Sequence, residues 1–182
     1  MALDSLASLN VLGVSRVATL ALAVVTGFLL ANSKPAHGQV LAAGFEYTCQ
    51  LRGFVVGENV LCHGRVSADV TVPVGHWQIA GGGWSACALT RAGEINCYGR
   101  PDAANEFGQT VAPAGNQWTF IGAGWWHFCA LDNNGLASCW GRGDSGQTSP
   151  PPHRFKRVTG STTYSCGILM DDTAECWGSN EF

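Results

Sequence analysis

Eight cysteines recur along the chain, at positions 49, 62, 87, 97, 129, 139, 166 and 176, and the first 48 residues contain none. Thiols in such numbers bind metals or pair as disulfides. The metal reading is weak, because no Cys-x-x-Cys or His-x-x-x-His spacing occurs anywhere. The pairing reading has a geometric basis. The second cysteine follows the first by ten residues in the last three pairs. Between Cys87 and Cys97, Gly93 sits third in a three-residue loop, the place of a left-handed glycine in a hairpin built from a type I turn and a bulge. Asn133-Asn134-Gly135 repeats this loop, and Asp172, a residue that tolerates the left-handed region, stands where the glycine would be in the last pair. With residues 91 to 93 as the loop, 90 pairs with 94, 88 with 96 and Cys87 with Cys97. That last pair falls on a non-hydrogen-bonded site, where Cα atoms approach to roughly 4.5 Å, a separation a disulfide accepts. The expected bonds are Cys49–Cys62, Cys87–Cys97, Cys129–Cys139 and Cys166–Cys176, each worth on the order of 2 to 3 kcal/mol. The first pair encloses three extra residues around Gly53 to Gly57, so the register does not fix its loop.

The elements that position these hairpins form a repeat. Aligned on their first cysteine, four segments superimpose: Leu41-Ala-Ala-Gly-Phe-Glu-Tyr-Thr-Cys49, Ile79-Ala-Gly-Gly-Gly-Trp-Ser-Ala-Cys87, Ile121-Gly-Ala-Gly-Trp-Trp-His-Phe-Cys129 and Val158-Thr-Gly-Ser-Thr-Thr-Tyr-Ser-Cys166. An aliphatic residue stands eight places before each cysteine, and the first cysteines are spaced by 38, 42 and 37 residues. The second cysteine is followed by an aromatic residue or His and then Gly, as His63-Gly64, Tyr98-Gly99, Trp140-Gly141 and Trp177-Gly178.

This pattern, closing with Gly-Gln-Thr-Ser-Pro-Pro after the third unit, resembles the repeats of the regulator of chromosome condensation superfamily, in the short, cysteine-paired form found in secreted bacterial proteins and related to crinkly-type ectodomains. The resemblance covers residues 39–182 and implies an all-β fold: a partial β-propeller of about four blades of four-stranded antiparallel sheet, with units at about 39–76, 77–117, 118–154 and 155–182. Asn105-Glu106-Phe107-Gly108-Gln109 follows the second unit, and the sequence reaches only Asn180-Glu181-Phe182 at the corresponding place. The expectation is an incomplete last blade, with open blade edges that self-associate.

Composition narrows the setting. Of 182 residues, 46% are hydrophobic and 13% charged, enough for one folded domain. The formal charge of −3 and the lack of a Lys/Arg run beyond Arg154, Lys156 and Arg157 argue against a nucleic-acid partner. Residues 17 to 31 are apolar throughout, preceded by Arg16 and followed by Asn32, Ser33 and Lys34. A stretch of this length suits a signal-peptide helix and is short for a membrane span. Ala36-His37-Gly38 offers small residues for cleavage before Gln39, so residues 1–38 read as a signal peptide or, uncleaved, an N-terminal membrane anchor. Either way the remainder is expected to be secreted, periplasmic or at the cell surface, where an even cysteine set oxidises.

No catalytic constellation stands out: there is no Ser-centred nucleophile motif, no phosphate-cradling glycine loop and no conspicuous carboxylate pair. No cofactor or metal is expected. His127, two places before Cys129, is expected to make a structural hydrogen bond within its blade, and His63 to replace a packing aromatic. Trp84, Trp125 and Trp126, with Phe45 in the first unit, fall in the connections between the first two strands of their blades. A propeller gathers such connections on one face, where aromatic residues anchor partners, unless the indoles pack against the neighbouring blade. Arg65, Arg100 and Arg142 share one slot after the glycine of the third strand and would form a row across three blades, either a salt-bridged surface or an anion strip. The expected function is a non-enzymatic binding module whose loop face takes a protein. The alternative is a carbohydrate-binding or carbohydrate-active propeller, which would bring two carboxylates among Glu46, Asp102, Glu106, Asp132 and Asp144 to within roughly 5 to 9.5 Å in one pocket.

Overall fold

The structure, a computed structural model, describes residues 41–52, 59–64, 69–70, 76–99 and 105–179. The expected leader, the loop of the first hairpin, Arg65 and Arg100 lie outside the described residues.

Every described element is a strand, and the strands form four antiparallel sheets in chain order. Blade 1 holds β1 (Leu41–Gly44), β2 (Tyr47–Arg52), β3 (Asn59–Gly64) and the short β4 (Asp69–Val70). Blade 2 holds β5 (His76–Gly81), β6 (Ser85–Thr90) and β7 (Ile95–Gly99), and blade 3 holds β8 (Trp118–Ala123), β9 (His127–Asp132) and β10 (Ala137–Gly141). Blade 4 holds β11 (Phe155–Gly160), β12 (Tyr164–Leu169) and β13 (Ala174–Gly178). The fourth strand implied by the family resemblance is therefore present, among the described residues, only in blade 1. In blade 3 the reason is local: Pro150, Pro151 and Pro152 have no N–H to donate to a ladder, and only an isolated bridge from Leu136 to Arg154 forms there.

The hairpin register is the one the cysteine spacing requires. Cys87 faces Cys97, Ala88 faces Asn96, and the Thr90 amide donates to Glu94 O across the loop. All four disulfides pair as expected, with Cα atoms 4.0 Å apart. Gly93, Gly135 and Asp172 occupy the left-handed region at φ 85°, 80° and 71°. The innermost strands of blades 2, 3 and 4 shift register at equivalent places, around Trp77, Thr119 and Lys156. An extra residue there bends each inner strand.

The core lies between blades rather than within one. Ala42, Tyr47, Cys49 and Val60 of blade 1 meet Ile79, Ala86 and Ala88 of blade 2. Cys87 and Leu89 of blade 2 meet Trp118, Ile121 and Phe128 of blade 3, and Cys129 and Leu131 of blade 3 meet Phe155 and Val158 of blade 4. The first three disulfides thus face the next blade, and the residue after the second cysteine of blades 2, 3 and 4 faces the previous one: Tyr98, Trp140 and Trp177 pack in successive seams. His63 does not repeat this packing; it is exposed, since no described blade precedes blade 1. Leu41 is exposed for the same reason, whereas its counterparts Ile79, Ile121 and Val158 are buried.

Candidate binding face

The connection between the first and second strands of each blade places its residues against the next blade's connection. The Phe45 amide donates to Gly83 O at 2.8 Å, the Gly83 amide to Trp125 O at 2.6 Å, and the Trp125 amide to Ser161 O at 2.9 Å. This chain of backbone bonds holds the connections side by side. Gly83 permits the approach: a Cβ there would lie 2.8 Å from both Trp125 Nε1 and Trp125 O.

Rings from three blades consequently share one face. The Phe45 centroid lies 5.6 Å from Trp125 and 6.2 Å from Trp84. Trp84 meets Trp126 edge-on at 5.2 Å, and Trp126 lies 6.3 Å from Trp125 and 5.8 Å from Phe107. These tilted and edge-to-face arrangements suit the ring quadrupoles. Arg142 closes the series, its guanidinium carbon 5.3 Å from the Phe107 centroid. Both Nε and Nη2 of Arg142 donate to Asp144 Oδ2, at 2.8 and 2.7 Å. These hydrogen bonds hold the Asp144 carboxyl below its ordinary range.

The four aromatic residues singled out from the sequence are thus brought together, and the two readings of the tryptophans divide between them. Trp126 is buried at 9% exposure, with Trp84 half-buried beside it, while Phe45 and Trp125 are exposed at 41% and 39%. Of the expected arginine row only Arg142 falls among the described residues, and it extends the aromatic cluster. Phe107 escaped the sequence reading. Its signal was an isolated Phe between the polar Asn105-Glu106 and the Gly108-Gln109 turn.

Buried polar groups brace this face from behind. Gln109 accepts the Phe107 amide at 2.8 Å through its side-chain oxygen, donates to Asn105 O at 2.7 Å, and its own carbonyl accepts Trp140 Nε1 at 3.0 Å. Gln147 O likewise accepts Trp177 Nε1 at 2.9 Å. His127 departs from expectation: its partner is in the next blade, not its own. His127 Nε2 lies 2.7 Å from Ser165 Oγ, and Ser165 Oγ donates to Gln147 O at 3.0 Å. Because the serine has one proton to give, Nε2 carries the ring proton. His127 Nδ1 is buried with no partner, and desolvation lowers the imidazole to about 4. The ring belongs to the seam between blades 3 and 4 and is fully buried.

Two cavities of about 440 and 450 Å³ lie along the inner strands. Phe120, Arg157 and Val158 line the first, where Arg157 lies 5.4 Å from the Phe120 centroid. Phe45, Glu46, Trp125 and Ser161 line the second. Among the described residues, Glu46 is the one carboxylate lining either cavity. Among the described residues no group of three His, Cys, Asp or Glu is placed to hold a metal ion.

Residues 118–147 match the Regulator of chromosome condensation (RCC1) repeat. No curated protein matches the sequence. Among solved structures, the entire ectodomain of the receptor kinase CR4 from Physcomitrella patens is 28% identical with a TM-score of 0.65, over 76% of this chain and 40% of that one. The CRINKLY ectodomain of the Arabidopsis thaliana receptor kinase ACR4 is 22% identical with a TM-score of 0.59, over 76% of this chain and 48% of that one. Prp20p from Saccharomyces cerevisiae, a protein characterised for its binding to Gsp1p and histones, is 18% identical with a TM-score of 0.62, over 76% and 44% of the two chains. The chain spans less than half the length of each of these structures.

Proposed function

We propose that this chain, whose blades form a β-propeller like those of regulator of chromosome condensation-type repeats, is an exported, non-catalytic module that binds a protein through the aromatic connections of its loop face. The carrying observation is the five-ring cluster of Phe45, Trp84, Phe107, Trp125 and Trp126, continuous across three blades, with three of its rings more than a third exposed. Rigid aromatic rings backed by a packed scaffold are the usual anchors of protein interfaces. Four disulfides support a location outside the reducing cytoplasm. Among the described residues, Glu46 alone of the candidate carboxylates lines either cavity, which favours binding over glycoside hydrolysis by a carboxylate pair.

Affinity capture from the envelope or medium of the producing cell, using the intact chain and Phe45→Ala and Trp125→Ala variants, tests this reading. A partner retained by the native chain and lost by both variants supports it. A partner retained equally by all three excludes the aromatic face. We also propose that the outward face of blade 4 pairs copy to copy, because Tyr164 and Ile168 are exposed at 40% and 36% where their counterparts Ser85, His127, Leu89 and Leu131 in blades 2 and 3 are buried. A sedimentation coefficient that does not rise with concentration excludes the pairing.

A further inference from the structure

The turn that carries Trp125 rests on a buried imidazole, and what this means for a partner rests on the reading of the loop face as a binding surface. We propose that the seam between blades 3 and 4 is an acid-operated release, in which protonation of His127 parts blade 4 from the Trp125 turn and frees the loop-face partner.

His127 lies two residues after Trp125, and the Gly124 amide closes the turn by donating to His127 O at 2.8 Å. The ring lies directly against both blades. A Cβ on Gly124 would stand 2.6 Å from His127 Nδ1, and a Cβ on Gly160 of β11 the same distance from Nε2. From that position Nε2 donates to Ser165 Oγ of β12 at 2.7 Å, and the serine donates to Gln147 O at 3.0 Å. Across the same seam the Trp125 amide donates to Ser161 O at 2.9 Å, which tethers the exposed indole's turn to blade 4.

This site suits the neutral ring and not the imidazolium. The ring is fully buried, and Nδ1 has no partner among the described residues. Protonation puts on that nitrogen both a charge and a donor with no acceptor, which is unfavourable away from water. The groups that meet the ring from the neighbouring elements are Gly124, Gly160 and Ser165, none of them titratable, so no carboxylate offsets the charge. Desolvation is accordingly the cause that lowers the imidazole to about 4. His76, also lowered by burial, stands in blade 2 and bonds Asn96 of its own blade. Water reaches Nδ1 of His127 once blade 4 separates from the turn, and that separation breaks the bond from Trp125 to Ser161. With the ring at its ordinary 6.5 in the open seam and about 4 in the closed one, a fall from pH 7.5 to 5.0 favours opening by on the order of 25-fold.

Hydrogen exchange of the full disulfide-bonded chain at these two pH values, corrected for the intrinsic amide rate, tests the opening. Protection of the Trp125 amide is expected to fall by on the order of 25-fold at pH 5.0. The Gly83 amide, bonded to Trp125 O across the seam between blades 2 and 3, is expected to lose less than about threefold. In His127→Gln the fall at Trp125 should likewise shrink to below about threefold. Equal falls at Trp125 and Gly83 mean that acid unfolds the blades together and overturn the inference, an outcome the native chain decides even if the variant fails to fold. An unchanged Trp125 amide overturns it too. Partner capture is then read at both pH values: the native chain should lose at least about tenfold at pH 5.0, and His127→Gln should retain its partner at both. A local fall at Trp125 with capture unchanged overturns the release. If Trp125→Ala leaves capture unchanged at pH 7.5, the reading of the face fails and the release with it, while the exchange contrast still decides whether the seam opens.

Discussion

Strands β6 and β12 occupy the same position in blades 2 and 4, yet all six residues of β6 are buried, whereas in β12 only Ser165 and Gly167 are. β6 reads Ser-Ala-Cys-Ala-Leu-Thr, with small residues on the side facing blade 1 and Cys87 and Leu89 facing blade 3. β12 keeps the buried half of that pattern against blade 3 and leaves Tyr164 and Ile168 exposed on the other side. A blade's second strand is thus a two-faced element whose stability comes from its neighbours, as in other repeat arrays. The seams also differ in chemistry. Between blades 2 and 3 Phe128 packs with Cys87 and Leu89, and the buried Gln78 side chain donates to Ile121 O at 2.8 Å and accepts the Ile121 amide at 3.1 Å; between blades 3 and 4 a buried His127–Ser165–Gln147 thread crosses the seam.

The largest effect should come from the seam between blades 2 and 3. Phe128 is fully buried, so Phe128→Ala is expected to cost about 3 to 5 kcal/mol in urea unfolding. A loss no greater than that of an exposed substitution on β12 would erase the contrast between a strand packed in a seam and the exposed side of β12.

Acid should next single out the seam between blades 3 and 4. The folded pKa of His127 is lowered to about 4 from the ordinary 6.5, so the unfolded chain takes up its proton first as pH falls. Its contribution is fully present above about pH 6.5 and is lost between there and pH 4, on the order of 3 kcal/mol. His76 is also lowered by burial, and its Nε2 accepts from Asn96 at 3.2 Å, so it adds loss in the same direction. Unfolding measured from pH 7.5 to 4.5 should show a shallower decline in His127→Gln than in the native chain. Parallel declines would assign the acid sensitivity elsewhere.

The disulfides sharpen the comparison further. Cys49, Cys87 and Cys129 are buried in the seams, whereas Cys176 is exposed and Cys166 half-buried. Thiol exchange requires access to a sulfur, so limited reduction followed by alkylation and mass spectrometry should label Cys166 and Cys176 at least about tenfold faster than Cys87 and Cys97. Uniform labelling of all four pairs would mean that the seams open together.

The smallest effect belongs to the exposed half of β12. Ile168→Ser in the monomer is expected to change unfolding free energy by less than about 1 kcal/mol. A cost comparable to Phe128→Ala would show that this face is covered in solution.

Some of this architecture can be read from residue spacing alone. Ten residues between cysteines, with Gly93, Gly135 or Asp172 at a fixed offset, determine a hairpin, its register and its disulfide, because each follows from local backbone geometry and a period of two. The fourfold repeat of that pattern determined the kind of fold, and the position of Phe45, Trp84, Trp125 and Trp126 between first and second strands put them on one face. What the tertiary structure decided is everything that depends on the neighbouring blade. It made Trp126 a packing residue and left Trp125 exposed beside it, sent the His127 bond across a seam, and added Phe107 to the cluster. It also brought Glu46 and Trp125, of different blades, to the lining of one cavity. The physical reason is range: strand pairing is fixed by residues ten apart, whereas the seams join residues about forty apart whose side chains meet only after the blades have docked.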